Sequence, residues 1–285
     1  MDIVQSILMG IVQGLSEFLP ISSSAHLVFT SNFYKVFKGI ELVHESNQEI
    51  FLDIMLHLGT LIAVLIFFRK EIFEILKALY TGLKTKNYTS REFKIGIYII
   101  LGTIITVLIA FPLNEVAGSL VFKPAFVGLL LIFTGILLLF SEARSKKLTE
   151  KKEITLKSSI LIAIAQGLAA IPGFSRSGLT IATGLLSGSD RTTSARYSFL
   201  LSIPIILGAS MFYPLIKLDF HEVITYTWTA TSRPAILAGT IVSGVVGYVC
   251  IKYFLKFVSK FSLGIFGYYC LIMGIITAVF FTLCQ

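Results

Sequence analysis

The chain has 285 residues, 55% of them hydrophobic and 14% charged, with a mean hydropathy of +0.85. A soluble domain carries about 25% charged residues and a disordered one lacks apolar residues, so both classes are excluded. The 24 Lys and Arg against 16 Asp and Glu leave +8, an excess that membrane topology explains, so no nucleic-acid partner is expected.

The chain starts Met1-Asp2-Ile3, with no basic stretch before the first apolar run, so no removable signal peptide is expected. A membrane helix needs about 20 mostly apolar residues. The region 3–31 does not supply them in one piece: Glu17, Pro20, Ser22, Ser23, Ser24 and His26 interrupt it. It reads as two half-helices around a polar turn, a re-entrant hairpin whose unwound backbone is tolerated only inside protein or beside a wet cavity. Spans are expected at 51–68, 95–112 and 121–140. A second broken region, 158–187, is interrupted by Pro172, Gly173 and Arg176. Further spans are expected at 197–215, 234–251 and 263–283. The fold class is therefore all-α and polytopic, with six transmembrane helices and two re-entrant helical hairpins. Cys250, Cys270 and Cys284 lie in apolar runs without metal-like spacing and read as packing residues.

Lys and Arg collect in cytoplasmic loops. Segments 69–94, 141–157, 188–196 and 252–262 hold 18 of the 24 basic residues, and these are placed inside. Segments 32–50, 113–120 and 216–233 are poorer in basic residues and hold several acids, Glu41, Glu45, Glu49, Glu115, Asp219 and Glu222, and are placed outside. The first hairpin then opens outward and the second inward. The two halves, 1–140 and 158–285, run in opposite senses about a basic linker at 141–157. A short repeat agrees: Ile11-Val12-Gln13-Gly14-Leu15 aligns with Ile164-Ala165-Gln166-Gly167-Leu168, Pro20 with Pro172, and Ser23 with Ser175. Inverted repeats gather their special residues where the broken helices meet, so one composite site is expected.

Ionisable groups at membrane depth cost about 2.5–3.5 kcal/mol each and are functional candidates by default. The hairpins hold three: Glu17, His26 and Arg176. Around Arg176 stand Gly173, Ser175, Ser177, Gly178 and Thr180. A glycine turn before a half-helix N-terminus, a guanidinium fork and hydroxyl donors together suit a phosphate group. Pairing of Arg176 with Glu17 is the competing and compatible reading. Gln13 and Glu17, four apart, share a helix face and offer oxygens for Mg²⁺, which keeps waters and borrows phosphate ligands. Ser23 and His26 are three apart and suit a nucleophile and its base, with Ser22 and Ser24 beside them. His26 is alternatively the acid that protonates a leaving group. The bland alternative makes the serines helix caps. His57 reads as a hydrogen-bonded helix residue, and His44 and His221 carry no signal. Such parts stabilise charge on a breaking phosphoanhydride, and the apolar setting implies a substrate with a lipid tail.

The run Gln13-Gly14-Leu15-Ser16-Glu17-Phe18-Leu19-Pro20-Ile21-Ser22-Ser23-Ser24-Ala25-His26 resembles the first signature, (E/Q)xxxE followed by FLPxSSxxH, of bacterial undecaprenyl-diphosphatases of the bacitracin-resistance type. Pro172–Thr180 resembles their second signature, PGxSRSxxT. The resemblance covers essentially the whole chain. It implies removal of the terminal phosphate of undecaprenyl diphosphate at the outer, periplasmic side of the bacterial cytoplasmic membrane. It also implies recycling of the carrier for peptidoglycan synthesis, bacitracin resistance, and dependence on Mg²⁺ or Ca²⁺. The metal motif falls on Gln13 and Glu17, the candidate nucleophile on Ser23, the histidine on His26 and the phosphate-binding arginine on Arg176. Gln13 stands where many members carry Glu, and Ala25 where Gly is frequent. The expected partners are the polyprenyl diphosphate and membrane lipids, with room for a homodimer. A lipid flippase or secondary transporter is the alternative, because inverted repeats with broken helices also build carriers.

Overall fold

The computed structural model describes residues 2–37, 47–120, 123–146, 152–217 and 232–283. Among them it is all-helical: α1 (Ile3–Ser16), α2 (Ser23–Phe37), α3 (Asn47–Phe67), α4 (Arg69–Thr85), α5 (Arg91–Leu120), α6 (Pro124–Ser145), α7 (Leu156–Leu168), α8 (Arg176–Leu186), α9 (Arg191–Lys217), α10 (Ser232–Val258) and α11 (Gly264–Leu283). Among the described residues six helices are long and apolar enough to cross a membrane: Glu49–Phe67, Arg91–Leu113, Pro124–Ser145, Arg191–Phe212, Arg233–Val258 and Gly264–Thr282. They fall where the six spans are expected. Glu41, His44, Glu45, Asp219, His221, Glu222 and Cys284 lie outside the described residues.

Both interrupted regions form two helices around a break. α1 and α7 have 14 and 13 residues, too few for a span at 1.5 Å per residue. The sequence reading treats 69–94 as a basic loop, yet it contains the 17-residue helix α4. Its Ile72, Ile75 and Leu79 pack on the core at helical spacing, and the lysines around them hide that periodicity from a hydropathy window. α5 continues through Pro112 to Leu120, past the boundary expected at 112.

Helix α1 packs on α10, α10 on α3, α7 on α5, and α6 on α11. The main core gathers Phe18 of the turn after α1, Phe68 between α3 and α4, Phe199 of α9 and Phe254 of α10. The rings of Phe18 and Phe199 meet edge to face at 5.3 Å. The α6–α11 crossing brings backbones together: a Cβ on Gly128 would lie 2.8 Å from the Gly274 oxygen, and one on Gly274 2.6 Å from the Gly128 oxygen. Gly274→Leu is therefore expected to destabilise the protein by about 1–3 kcal/mol through overpacking, read as a lower melting temperature in detergent.

The segments placed inside on charge alone are joined to one another. Arg191 pairs with Glu142 through Nε at 3.1 and 3.0 Å and through Nη2. Arg196 pairs with Glu71, and Arg91 with Glu153 at 2.9 Å. The Leu263 amide also donates to Glu142. These contacts draw the ends of α4, α5, α6, α9 and α11 to one end of the bundle.

Candidate active site

The site begins where α1 stops. Pro20 cannot donate to a continuing helix, and Ser22 takes a positive φ of 71°, so the chain reverses over 17–22. Three carbonyls at the end of α1 and in this turn, which would be costly without partners in an apolar setting, are met by side chains. Cys250 donates to Leu15 O at 3.3 Å, Ser177 to Leu19 O at 2.9 Å and Cys270 to Pro20 O at 3.4 Å. The second turn is set by Gly173, at φ +103°, where a Cβ would stand 2.6 Å from the Val127 oxygen. Ser175 then caps α8 by accepting from the Gly178 amide at 3.0 Å. The turns bond each other directly: Ser22 donates to Phe174 O at 3.1 Å and Ser177 to Leu19 O.

This junction unites residues from the two ends of the chain. Glu17, 6% exposed, receives Arg176 Nη2 on Oε1. On Oε2 it receives Ser23 Oγ at 2.8 Å and Gln13 Nε2 at 2.9 Å. His57 Nε2 stands 3.7 Å from the same oxygen, while its Nδ1 donates to Asp53 O at 2.8 Å. The structure thus brings Gln13, Glu17, Ser23 and Arg176 together and adds His57. That histidine is bonded within its helix, as expected, but it also faces the carboxylate. The signal for it was present: an ionisable residue inside a span.

Two atoms in the cluster are buried without a hydrogen-bond partner. One is a donor, Arg176 Nη1, and the other an acceptor, Gln13 Oε1. Each such group costs about 1–3 kcal/mol and calls for an explanation. A phosphate oxygen would satisfy the guanidinium, and an oxygen-seeking cation would satisfy the amide. A carboxylate and a free amide oxygen are donors of the kind Mg²⁺ takes, alongside oxygens of water and phosphate. Among the described residues no group of three or more His, Cys, Asp or Glu is placed to hold a metal.

The remaining candidates are placed differently from the sequence expectation. Ser23 does not bond His26; its hydroxyl turns back to Glu17. His26 Nδ1 donates to Ser22 O at 2.8 Å, and Nε2 meets Tyr269 OH at 2.7 Å. Ser24 bonds Ser22 at 3.2 Å. Ser175, Ser177 and Thr180 are buried, and they hold the loop and helix. Thr180 donates to Arg176 O at 2.8 Å and contacts Ser198 Oγ at 2.6 Å. Tyr269 escapes sequence reasoning, because a tyrosine within a span carries no chemical signal of its own.

A family model described as bacitracin resistance protein BacA matches residues 6–276. The chain belongs to the BacA family. Its curated relatives include an undecaprenyl-diphosphatase of Methanosphaera stadtmanae, 37% identical with 98% of each chain covered. One of Halothermothrix orenii is likewise 37% identical with 98% of each covered. Undecaprenyl-diphosphatase 1 of Pseudoalteromonas translucida is 35% identical, with 99% of this chain and 100% of the relative covered. The BacA match takes in both turns, so every residue of the Glu17–Arg176 cluster lies within it.

Proposed function

We propose that this chain is a membrane phosphatase that hydrolyses undecaprenyl diphosphate to undecaprenyl phosphate and phosphate. The observation that carries the reading is the Glu17–Arg176 pair at the junction of the two turns, with a guanidinium nitrogen left unbonded beside a hydroxyl already hydrogen-bonded to a carboxylate. Arg176 Nη1 binds a phosphate oxygen. Ser23 Oγ attacks the terminal phosphorus as its proton passes to Glu17 Oε2, and the bond to the lipid phosphate breaks. Water then hydrolyses the phosphoserine. Direct attack by water, with Glu17 as base, is the other route. Gln13 and Glu17 would hold Mg²⁺, which when bound supplies positive charge to the diphosphate. His26 stands at the start of α2 to exchange a proton with the leaving group.

The same reading places the protein in a bacterial cytoplasmic membrane, its basic end inside and its site opening outward, with the lipid carrier returned to peptidoglycan synthesis. Lowering the diphosphate pool accounts for bacitracin resistance. The two helix pairs act as re-entrant hairpins of an inverted repeat. The reciprocal packing of α1 on the second-half helix α10, and of α7 on the first-half helix α5, supports this. The test is phosphate release from undecaprenyl diphosphate by purified protein, expected to stop with a chelator and return with Mg²⁺. Lipid movement across reconstituted vesicles without phosphate release would replace the reading with a flippase.

A further inference from the structure

We infer that Tyr269 of α11 is a positioning residue for His26, so that the reaction draws on the last helix as well as on the two turns. The inference rests on the phosphatase reading above. The geometry fixes the pair without reference to substrate. His26 Nδ1 lies 2.8 Å from Ser22 O, and a carbonyl only accepts, so Nδ1 carries the hydrogen. In the neutral ring Nε2 is then a bare lone pair. The phenol oxygen of Tyr269 is 2.7 Å from it, so the hydroxyl donates. The two rings also stack, with centroids 5.6 Å apart and planes inclined by 13°. Tautomer, ring plane and the direction of the basic nitrogen are all set.

Tyr269 is well placed to do this. Its neighbour Cys270 donates to Pro20 O in the first turn, and the Gly128–Gly274 crossing seats α11 against α6. The hydroxyl is therefore carried by a helix that touches the same turn as Ser22 and Ser23. Ser22 O sets the tautomer from Nδ1, the place of the third group in a hydrolytic triad, and Tyr269 fixes the ring plane by its stack and its bond to Nε2. It also explains why Ser23 turns to Glu17: both ring nitrogens of His26 are engaged.

The test uses the full-length protein in detergent, undecaprenyl diphosphate as substrate, and nitrogen NMR of isotopically labelled histidine. Tyr269→Phe keeps the ring stack and removes the hydroxyl. It is expected to lower kcat about tenfold, the worth of one hydrogen bond, with KM changed by less than about twofold. The Nε2 resonance of His26 should move from a bonded to a free lone pair. On a His26→Gln background Tyr269→Phe should have no further effect. Unchanged kcat overturns the inference, as does a loss that adds in full to that of His26→Gln. So does a loss with the His26 nitrogen signals unmoved, because the effect then runs through another group. The spectrum of the unsubstituted protein is independent of turnover, and a ring with Nδ1 bare would overturn the inference by itself. Protein that shows the bonded tautomer but releases no phosphate would instead overturn the phosphatase reading.

Discussion

Arg176→Ala is expected to lower phosphate release by about 10²–10³-fold, the loss that follows removal of a preorganised donor from developing charge. It is also expected to destabilise the fold by about 3–5 kcal/mol, because it leaves the buried carboxylate of Glu17 without its cation. The arginine side chain is 17% exposed and that of Glu17 5%, so solvent replaces little of what is removed. Arg176→Lys separates the two effects. A lysine restores the charge and much of the stability, but one ammonium does not reproduce a fork that holds Glu17 with Nη2 and leaves Nη1 for phosphate. Turnover should recover less than stability. The double variant Glu17→Ala with Arg176→Ala should melt closer to each single variant than additivity allows, because removing both partners leaves no unpaired charge. Thermal melts and initial rates on the four proteins check this. Additive stability losses would mean that the pair does not act as a pair in the folded protein.

The spans are legible from sequence because a bilayer demands long apolar runs, and Pro20, Pro172 and Gly173 are legible as breaks because they conflict with those runs. Glu17 and Arg176 stand out for the same reason: an ion at that depth needs an explanation, and each supplies the other's. What sequence spacing does not reveal is which hydroxyl meets which base. Ser23 and His26 are three apart on a helix, and that spacing suggested a pair. The tight turn at Ser22, with its positive φ, instead directs Ser23 back toward α1 and gives His26 a backbone carbonyl as its partner. Tyr269 lies 243 positions from His26, and no local pattern encodes a contact at that separation. Helix α4 was hidden for a different reason: its lysines lower the mean hydropathy of a segment whose apolar residues still keep helical spacing.

Glu17→Gln and Ser23→Ala should both lower turnover severely, and their combination identifies the nucleophile. The Ser23 hydroxyl donates to Glu17 Oε2 at 2.8 Å, so the carboxylate is already in place to take its proton. Positioned proton transfer contributes about 10²–10⁴-fold, and Glu17→Gln should cost at least about 10²-fold, because the amide that replaces the carboxylate is not a base. If Ser23 attacks phosphorus, Ser23→Ala loses as much or more, and the double variant falls no further than the worse single one, since the two residues act as a unit. Rapid quenching of the unsubstituted enzyme should then trap a phosphoserine at position 23. If water attacks instead, Glu17→Gln remains severe while Ser23→Ala stays within about tenfold of normal, having removed one hydrogen bond from the carboxylate. The separation between about tenfold and about 10²-fold or more is wide enough for steady-state phosphate release to decide. The decision also bears on His26: with Glu17 as the base for either nucleophile, the imidazole is left to the leaving group, which Nε2 reaches by releasing the Tyr269 hydroxyl.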